Sequence, residues 1–147
     1  MDCLSLRKTT GVITGEVALN GHPQEPTSFR RCTGYVEQFD VQSPAMTIRE
    51  TMEFSARLRL EETDPAVNDS SITAFVDQTL AMLELTVLQD LQVGSDISGG
   101  LSFEQRKRLS IAVELVSNPS VLFLVSRYRY RNPKSHLRSW FHANSLS

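Results

Sequence analysis

The chain has 147 residues, enough for one domain with a core, and its apolar fraction of 40% is ordinary for a globular protein. Its net charge is −2, its two cysteines lie far apart, and no apolar run approaches the ~20 residues of a membrane span, which argues against a disulfide framework and a transmembrane helix. The first residues, MDCLSLRK, have no apolar core, so we expect no secretory signal and a soluble, cytosolic chain.

The first half of the chain predicts two strands and then a helix. Residues 11–21, GVITGEVALNG, place β-branched residues between glycines and predict a strand, or half of a hairpin. Residues 32–39, CTGYVEQF, predict a second strand. A helix is expected over 43–60, because Thr47 is a good N-cap and Glu50, three residues later, completes a capping box.

The second half predicts two more helices and a final strand. In chain order we expect a polar loop at 60–71, an amphipathic helix at 72–85, a glycine- and serine-rich loop at 92–100, a helix at 102–116 and a buried strand at 120–124. Ser102 is the predicted N-cap of the last helix, and Gln105 occupies its third position. Residues 125–147 show no sustained period and are predicted to be disordered or irregular.

The charge is distributed unevenly along the chain. Residues 125–147 hold five basic residues and no acidic one, whereas residues 1–124 hold 10 basic and 17 acidic residues. The Arg/Tyr alternation of the tail, with Trp140 and Phe141, is compatible with binding to single-stranded nucleic acid. We favour a different origin, out-of-frame or intron-derived sequence, because the break after Leu124 has no linker. No nucleic-acid partner is therefore expected.

Two segments are candidates for binding a phosphate. RKTTG at 7–11 suggests a phosphate loop, but that loop requires G-x-x-x-x-G-K-[ST] and residues 1–6 contain no glycine, so we expect Lys8 to be an exposed surface lysine. SGGLSFEQRKRLSIAVEL at 98–115 is the stronger candidate, since a serine-rich turn leads into a capped helix whose first N–H groups and dipole favour an anion. An ordinary capped helix would explain the turn alone. The ordered series of loop, capped helix, Asn-Pro stop and buried strand favours the anion site.

This series resembles the signature region of ATP-binding cassette (ABC) proteins. LSFEQRKRLSIAVELVSNPSVLFL at 101–124 is most similar to the second nucleotide-binding domain of pleiotropic-drug-resistance (ABCG-like) transporters. Upstream, GVITGEVALNGHP resembles the antiparallel β subdomain of that family, and RRCTGYVEQFDVQSPAMTIRETMEFSARLRL its Q-loop segment and the helix after it. MDCLSLRKTTG is similar to the stretch that follows the phosphate loop. The resemblance covers residues 1–124.

The resemblance implies an α/β fold, a partial P-loop NTPase cassette. Its parts would be a remnant of the antiparallel β subdomain, the helical signature subdomain and the Walker B strand, in an incomplete sheet. Residues 1–124 would form a truncated nucleotide-binding domain without the Walker A loop or the Walker B acids, and residues 125–147 an unmatched basic tail. Val125 and Ser126 stand where the family has its metal-binding Asp and catalytic Glu.

The resemblance also implies the nucleotide-binding positions, which are Gln38, Leu101, Ser102, Phe103, Glu104 and Gln105. Gln38 would orient water and metal, and Ser102 would touch a γ-phosphate held by a partner domain. Phe103 and Glu104 replace the two glycines of the general L-S-G-G-Q motif, which weakens the case for close phosphate approach, and Glu104 adds repulsive charge. No catalytic residue and no metal ligand is assigned.

The family couples ATP to the export of lipophilic compounds, so the resemblance implies ATP and Mg²⁺ as ligands. The implied partners are a second nucleotide-binding domain and transmembrane domains, with this chain on the cytosolic side of the membrane. We expect the chain alone neither to bind ATP stably nor to hydrolyse it, because the groups that position and neutralise the phosphates are missing from its sequence. Two alternatives remain open: a non-catalytic interaction module that docks on an intact transporter, and a soluble ABC-type ATPase.

Overall fold

The computed structural model describes residues 2–37, 42–60, 67–95 and 99–125. Its helices and strands, in chain order, are β1 (Ala18–Leu19), β2 (His22–Pro23), α1 (Pro26–Arg31), β3 (Thr33–Val36), α2 (Ile48–Arg59), α3 (Asp69–Met82), a 3-10 helix (Thr86–Leu88), β4 (Gly94–Ser95), β5 (Gly99–Gly100), α4 (Phe103–Leu115) and β6 (Val121–Leu124). Within the described ranges, no helix combines the length and apolarity needed to cross a membrane.

β1 and β2 form a short antiparallel hairpin. Its turn residues, Asn20 and Gly21, have φ angles of 50° and 82°, the left-handed conformations that a type I′ turn requires. The predicted hairpin is therefore confirmed, but the strand predicted over residues 11–21 is much too long. Residues 11–17 form no strand, and Val12 is 90% exposed, because no strand lies beside them in the described part of the chain.

β3 and β6 pair in parallel, with Thr33 opposite Val121 and Val36 opposite Leu124. Both strands were predicted, with slightly wider bounds. Gly34 leaves room for the side chains around this pair, because an added Cβ would lie 2.8 Å from a methyl carbon of Leu122 in β6 and 3.3 Å from a carboxylate oxygen of Glu114 in α4. Small separate sheets and packed helices confirm the expected class, a mixed α/β fold with an incomplete sheet.

α2 begins at its predicted cap. The Thr47 hydroxyl accepts the Glu50 N–H, and the Glu50 carboxylate accepts the Thr47 N–H, which completes the capping box. α3 begins at Asp69, three residues before the predicted start. Its N-cap is Asn68, whose side chain accepts the Ser71 N–H while the Ser71 hydroxyl accepts the Asn68 N–H. This Asn-Ser pair differs from the Ser/Thr-Glu/Gln pattern on which the prediction relied.

The core lies where α2, α3 and α4 meet, with contributions from β3 and from the loops before α4. Its buried apolar residues are Val36, Ile48, Met52, Ala56, Ile72, Val76, Leu80, Leu83, Leu85, Val93, Leu101, Leu109, Ile111, Ala112, Leu115 and Val116. The apolar face predicted for the helix at 72–85 is part of this core. The three helices thereby hold the amino terminus of α4 at a fixed place beside the amino terminus of α2.

Candidate functional site

Before α4, two short glycine-containing strands pair closely in antiparallel fashion, in a segment that was predicted to be a loop. β4 and β5 pair with Gly94 opposite Gly100 and Ser95 opposite Gly99. A Cβ on Gly94 would lie 1.9 Å from the Gly99 carbonyl oxygen, and the φ of Gly94 is +67°, so only glycine fits there. Ser98, the first residue of the predicted Ser-Gly-Gly turn, lies outside the described residues.

Leu101 anchors this turn to the core. Its side chain is only 3% exposed, and its N–H donates to the Val93 carbonyl at 3.1 Å. Val93 in turn donates its N–H to the Met46 carbonyl at 2.9 Å, just before α2. Leu101 was predicted to contact the nucleotide, but it is buried in the core and fixes the position of the turn before α4.

Ser102 and Gln105 form the capping box predicted from the sequence. The Ser102 hydroxyl accepts the Gln105 N–H at 3.2 Å, and the Gln105 side-chain oxygen accepts the Ser102 N–H at 2.8 Å. A serine hydroxyl can accept and donate at the same time, so Ser102 can give its hydrogen to a phosphate oxygen without losing the cap. The dipole of the 13-residue helix α4 favours an anion at this end.

Phe103 and Glu104 occupy the first turn of α4, and both are exposed. The Phe103 side chain is 63% exposed, an unusual amount for a phenylalanine. Glu104 forms an ion pair with Arg108 at 2.6 Å, and Arg108 also approaches Glu84 at 3.4 Å. The repulsion that the sequence predicted between Glu104 and a phosphate is therefore reduced, because Arg108 neutralises part of that charge one turn along the helix.

Gln38, the predicted Q-loop residue, lies outside the described residues. Glu37, directly before it, and Gln42, four residues after it, are described, and both contact α4. The Lys107 ammonium donates to the Glu37 carbonyl oxygen at 2.5 Å, and the Gln42 side chain donates to the Ser110 hydroxyl at 3.1 Å. The structure thus brings residues on either side of Gln38 onto the helix that begins at the predicted signature motif.

A groove of about 620 Å³ opens beside these contacts. It was not predicted from the sequence. Its floor includes Val36 and Met46, and its α2 wall carries Phe54 and Leu58, which are 58% and 69% exposed. Phe54 and Leu58 are four residues apart and therefore share one face of α2. Two apolar residues at this spacing, on the side of α2 away from its core face, were the feature of the sequence from which an apolar groove wall could have been predicted.

Lys8 is exposed, as predicted, and the residue that makes contacts here is its neighbour Arg7. The Arg7 guanidinium pairs with the Glu37 carboxylate at 2.6 Å and lies 4.0 Å from the centre of the Tyr35 ring. Burial raises the pKa of Tyr35, and the nearby Asp2 carboxylate raises it further. These contacts bind the segment before α1 to β3 and offer no arrangement of backbone N–H groups around a phosphate.

Comparison with known proteins identifies the family to which most of this chain corresponds. Residues 3–124 match the family described as ABC transporter. The chain is 51% identical over 124 residues to ABC transporter G family member 38 of Oryza sativa subsp. japonica. It is 48% identical over 124 residues to ABC transporter G family member 35 of Arabidopsis thaliana. Each alignment covers 84% of this chain and 8% of the relative, so the chain spans about 8% of the length of these relatives.

The family match and the relatives confirm the resemblance deduced from the signature region. ATP, with Mg²⁺, is the ligand that this family implies. The capped, exposed amino terminus of α4 is suited to an anionic group of that kind, because Ser102 retains a hydrogen to donate. From the matched residues and the identities, the chain belongs to the ABC transporter family and is part of its ATP-binding domain.

Proposed function

We propose that the chain contributes the signature helix and the Gln38 segment to the second nucleotide-binding domain of a drug-resistance-type transporter. In this proposal the domain comprises residues 1–124, and residues 125–147 lie outside it. The transporter couples ATP to the export of lipophilic compounds. The proposal is supported by the resemblance at 101–124 and by the G family relatives.

One observation carries this proposal, the geometry of Ser102. Its hydroxyl closes the capping box of α4 and still has a hydrogen for a phosphate oxygen. Leu101, buried directly before it, fixes the position of the turn. The carboxylate of Glu104, which would oppose an anion, is paired with Arg108. Ser102 therefore contacts the γ-phosphate of a nucleotide whose other groups are held by a partner domain.

The proposed partners follow from the contacts that the amino terminus of α4 cannot make by itself. A helix terminus contacts one side of a nucleotide, so the remaining contacts come from a second nucleotide-binding domain. Transmembrane domains complete the transporter, and this chain lies on the cytosolic face of the membrane. Gln38 would orient water and metal in the assembled transporter, where Mg²⁺ would supply neutralisation of phosphate charge.

The isolated 147-residue chain has no ATPase activity in this proposal. Its sequence contains no G-x-x-x-x-G-K-[ST] motif, and β6 is followed by Val125 and Ser126 in place of two carboxylates. Phosphoryl transfer depends on a lysine, a metal ligand and a residue that orients water. The test is phosphate release from Mg-ATP by the purified chain, compared with its Gln38→Ala variant. Turnover by the chain above that of the variant would show that this part of the proposal is wrong.

The role of Ser102 is tested in a chimeric transporter. Residues 3–124 replace the matching segment of the rice relative, which is 51% identical over 124 residues. We expect the chimera to hydrolyse ATP and its Ser102→Ala variant to be slower by about a hundredfold to a thousandfold, the usual range for loss of one donor to a developing charge. Ser102→Thr, which keeps the hydroxyl and the cap, is the matched control. Equal rates for the alanine and threonine variants would contradict the assignment.

A further inference from the structure

We propose that Arg108 is a positioning residue for the amino terminus of α4, and that Glu84 limits its effect. Arg108 acts through Glu104, because it holds the Glu104 carboxylate away from the end of the helix that faces the phosphate. Glu84, in the turn after α3, contacts the same guanidinium and so reduces the positive charge available to Glu104. The inference rests on the proposed function, in which Ser102 contacts a γ-phosphate, and it concerns how tightly this end of α4 accepts that anion.

Glu104 competes with an anionic ligand for the amino terminus of α4. It lies in the first turn of the helix, two positions after the N-cap Ser102. A carboxylate in the first turn interacts favourably with the partial positive charge of the helix terminus, and the same partial charge attracts a phosphate. The strength of this competition therefore depends on where the Glu104 carboxylate is held.

Arg108 holds the Glu104 carboxylate towards the next turn of the helix. Its Nη2 lies 2.6 Å from a Glu104 carboxylate oxygen. Because Arg108 is four residues further along α4, this ion pair draws the carboxylate along the helix and away from Ser102. The Arg108 and Glu104 side chains are 29% and 68% exposed, so water reaches the pair and its strength should depend on salt.

Glu84 contacts the same guanidinium from the turn after α3. One of its carboxylate oxygens lies 3.4 Å from Nη1 of Arg108, whereas Glu104 is bound by Nη2. The guanidinium is thus shared between a carboxylate on α4 and a carboxylate outside it. These three side chains carry one positive and two negative charges, so together they leave one negative charge close to the start of α4.

The backbone of Glu84 is in a conformation that favours glycine. Its φ is +57°, in the position directly after a helix C-cap where glycine is usual. The Leu85 N–H donates to the Leu80 carbonyl at 2.8 Å and the Glu84 N–H to the Ala81 carbonyl at 3.2 Å, the hydrogen-bond pattern of a Schellman motif. Leu80 and Leu85 are both fully buried, so the turn is fixed to the core. A non-glycine residue kept in this conformation suggests a use for its side chain, and the contact with Arg108 supplies one.

Changing one charge at a time should give effects of opposite sign on phosphate binding. Arg108→Met leaves both carboxylates without this cation and should weaken binding. Glu104→Gln and Glu84→Gln each remove one negative charge and should strengthen it, and the effect of Glu104→Gln should be larger because it lies in the first turn of α4. Since Arg108 acts through Glu104, Arg108→Met should lose most of its effect when it is combined with Glu104→Gln.

The first test examines the shared guanidinium without nucleotide, in the 147-residue chain. NMR measures how fast the guanidinium protons of Arg108 exchange with water. We expect this exchange to be about twofold to fivefold faster in Glu104→Gln, with a smaller acceleration in Glu84→Gln, because a charged acceptor binds these protons more strongly than a neutral one. Arg57, which pairs with Asp69 on α3, is the internal control, and its exchange should not change. Equal Arg108 exchange in the native chain and both variants would overturn the sharing of this guanidinium.

The second test measures nucleotide affinity in the chimeric transporter. Arg108→Met should raise the KM for ATP by about twofold to fivefold and leave kcat within about twofold, because an exposed charge near a helix terminus affects the bound nucleotide and the transition state alike. The KM difference should shrink at high salt, since the charges involved are open to water. Arg108→Lys, which keeps the positive charge, should restore most of the native KM. Arg57→Met is the matched control, and it should leave KM unchanged.

The remaining variants decide whether Arg108 acts through Glu104. Glu104→Gln and Glu84→Gln should each lower the KM for ATP. An unchanged KM in Arg108→Met, or an effect of Arg108→Met that is equally large in the Glu104→Gln background, would overturn the inference and leave the proposed function standing. A chimera that does not hydrolyse ATP with the native segment would contradict the proposed function and, with it, the role given to Arg108.

Discussion

The helical region, defined as residues 42–60, 67–95 and 99–116, and the amino-terminal region, residues 2–31, are built very differently. The helical region supplies nearly all of the buried apolar core. In the amino-terminal region only Ser5 and Phe29 are buried, and its secondary structure is a hairpin of two two-residue strands and a six-residue helix. Apolar residues occur in both regions, so composition alone does not explain the difference.

The difference lies in what an amphipathic helix and a β-strand each need to pack against. An amphipathic helix buries its apolar face against other helices nearby in sequence, and α2, α3 and α4 do so around one core. A strand needs a neighbouring strand for its backbone groups, and residues 11–17 have none in the described part of the chain. Val12 and Ile13 are therefore 90% and 51% exposed. Stability should accordingly be concentrated in the helical region.

The strongest test of this contrast compares one apolar truncation in each region. Leu109 of α4 is 0% exposed, so Leu109→Ala should lower the free energy of unfolding by about 2–5 kcal/mol through lost burial and a cavity. Val12, which is 90% exposed, should tolerate Val12→Ala with a change within about 0.5 kcal/mol. Urea unfolding followed by circular dichroism measures both. A similar loss for the two variants would mean that the amino-terminal region is as well packed as the helical one.

A smaller effect is expected at the paired glycine-containing strands before α4, where two glycines in one hairpin can be compared. Both have positive φ angles, +67° at Gly94 and +74° at Gly99, so alanine is strained at either position. Only at Gly94 would the new Cβ also meet backbone, 1.9 Å from the Gly99 oxygen, whereas at Gly99 nothing lies within 4 Å. Gly94→Ala should therefore cost about 1–3 kcal/mol more than Gly99→Ala, the usual range for overpacking.

Thermal and urea unfolding of these two variants give the difference directly. The helical region is expected to respond because Leu101, directly after the hairpin, is part of its core. If Gly94→Ala and Gly99→Ala were equally stable, the hairpin would not be coupled to that core. In that case the position of Ser102 would be set by the cap of α4 alone.

Elements determined by local chemistry could be predicted from the sequence, and those that depend on distant partners could not. The caps at Thr47 and Ser102 follow from residues three positions apart, and the structure confirms both. The extent of the strand near residue 18 and the start of α3 were wrong. The first error arose because alternation alone does not supply a neighbouring strand, and the second because Asn68 caps α3 with a serine partner.

The candidate site shows the same division. The prediction of Ser102 as the N-cap and Gln105 as the third residue of α4 is confirmed, because a capping box is local. The ion pair between Glu104 and Arg108, four residues apart on α4, is equally local and was open to prediction, although the sequence analysis missed it. The approach of Arg108 to Glu84 was not open to prediction, since it depends on how α4 packs beside the turn after α3. The contact between Lys107 and Glu37 spans 70 positions, and no periodicity in the sequence indicates it.

The smallest expected effect is on the acid dependence of two helix caps, one in each region. Glu25 caps α1, and hydrogen bonds from Ser28, followed by Thr27, lower the pKa of its carboxyl from 4.5 to about 2. A lowered pKa means that the capping contribution is complete above pH 4.5 and is lost as the pH falls towards 2. Glu50 in the helical region also has a lowered pKa, through the Thr47 N–H.

Glu25→Gln and Glu50→Gln should therefore each remove part of the acid dependence, in different measurements. Because α1 lies in the sparsely packed region, Glu25→Gln should alter the acid dependence of hydrogen exchange in Pro26–Arg31 and leave global unfolding nearly unchanged. Glu50→Gln should alter the acid dependence of urea unfolding, since α2 unfolds with the core. If Glu25→Gln also changed global unfolding, the amino-terminal and helical regions would unfold as one unit, and the contrast between them would be one of packing alone.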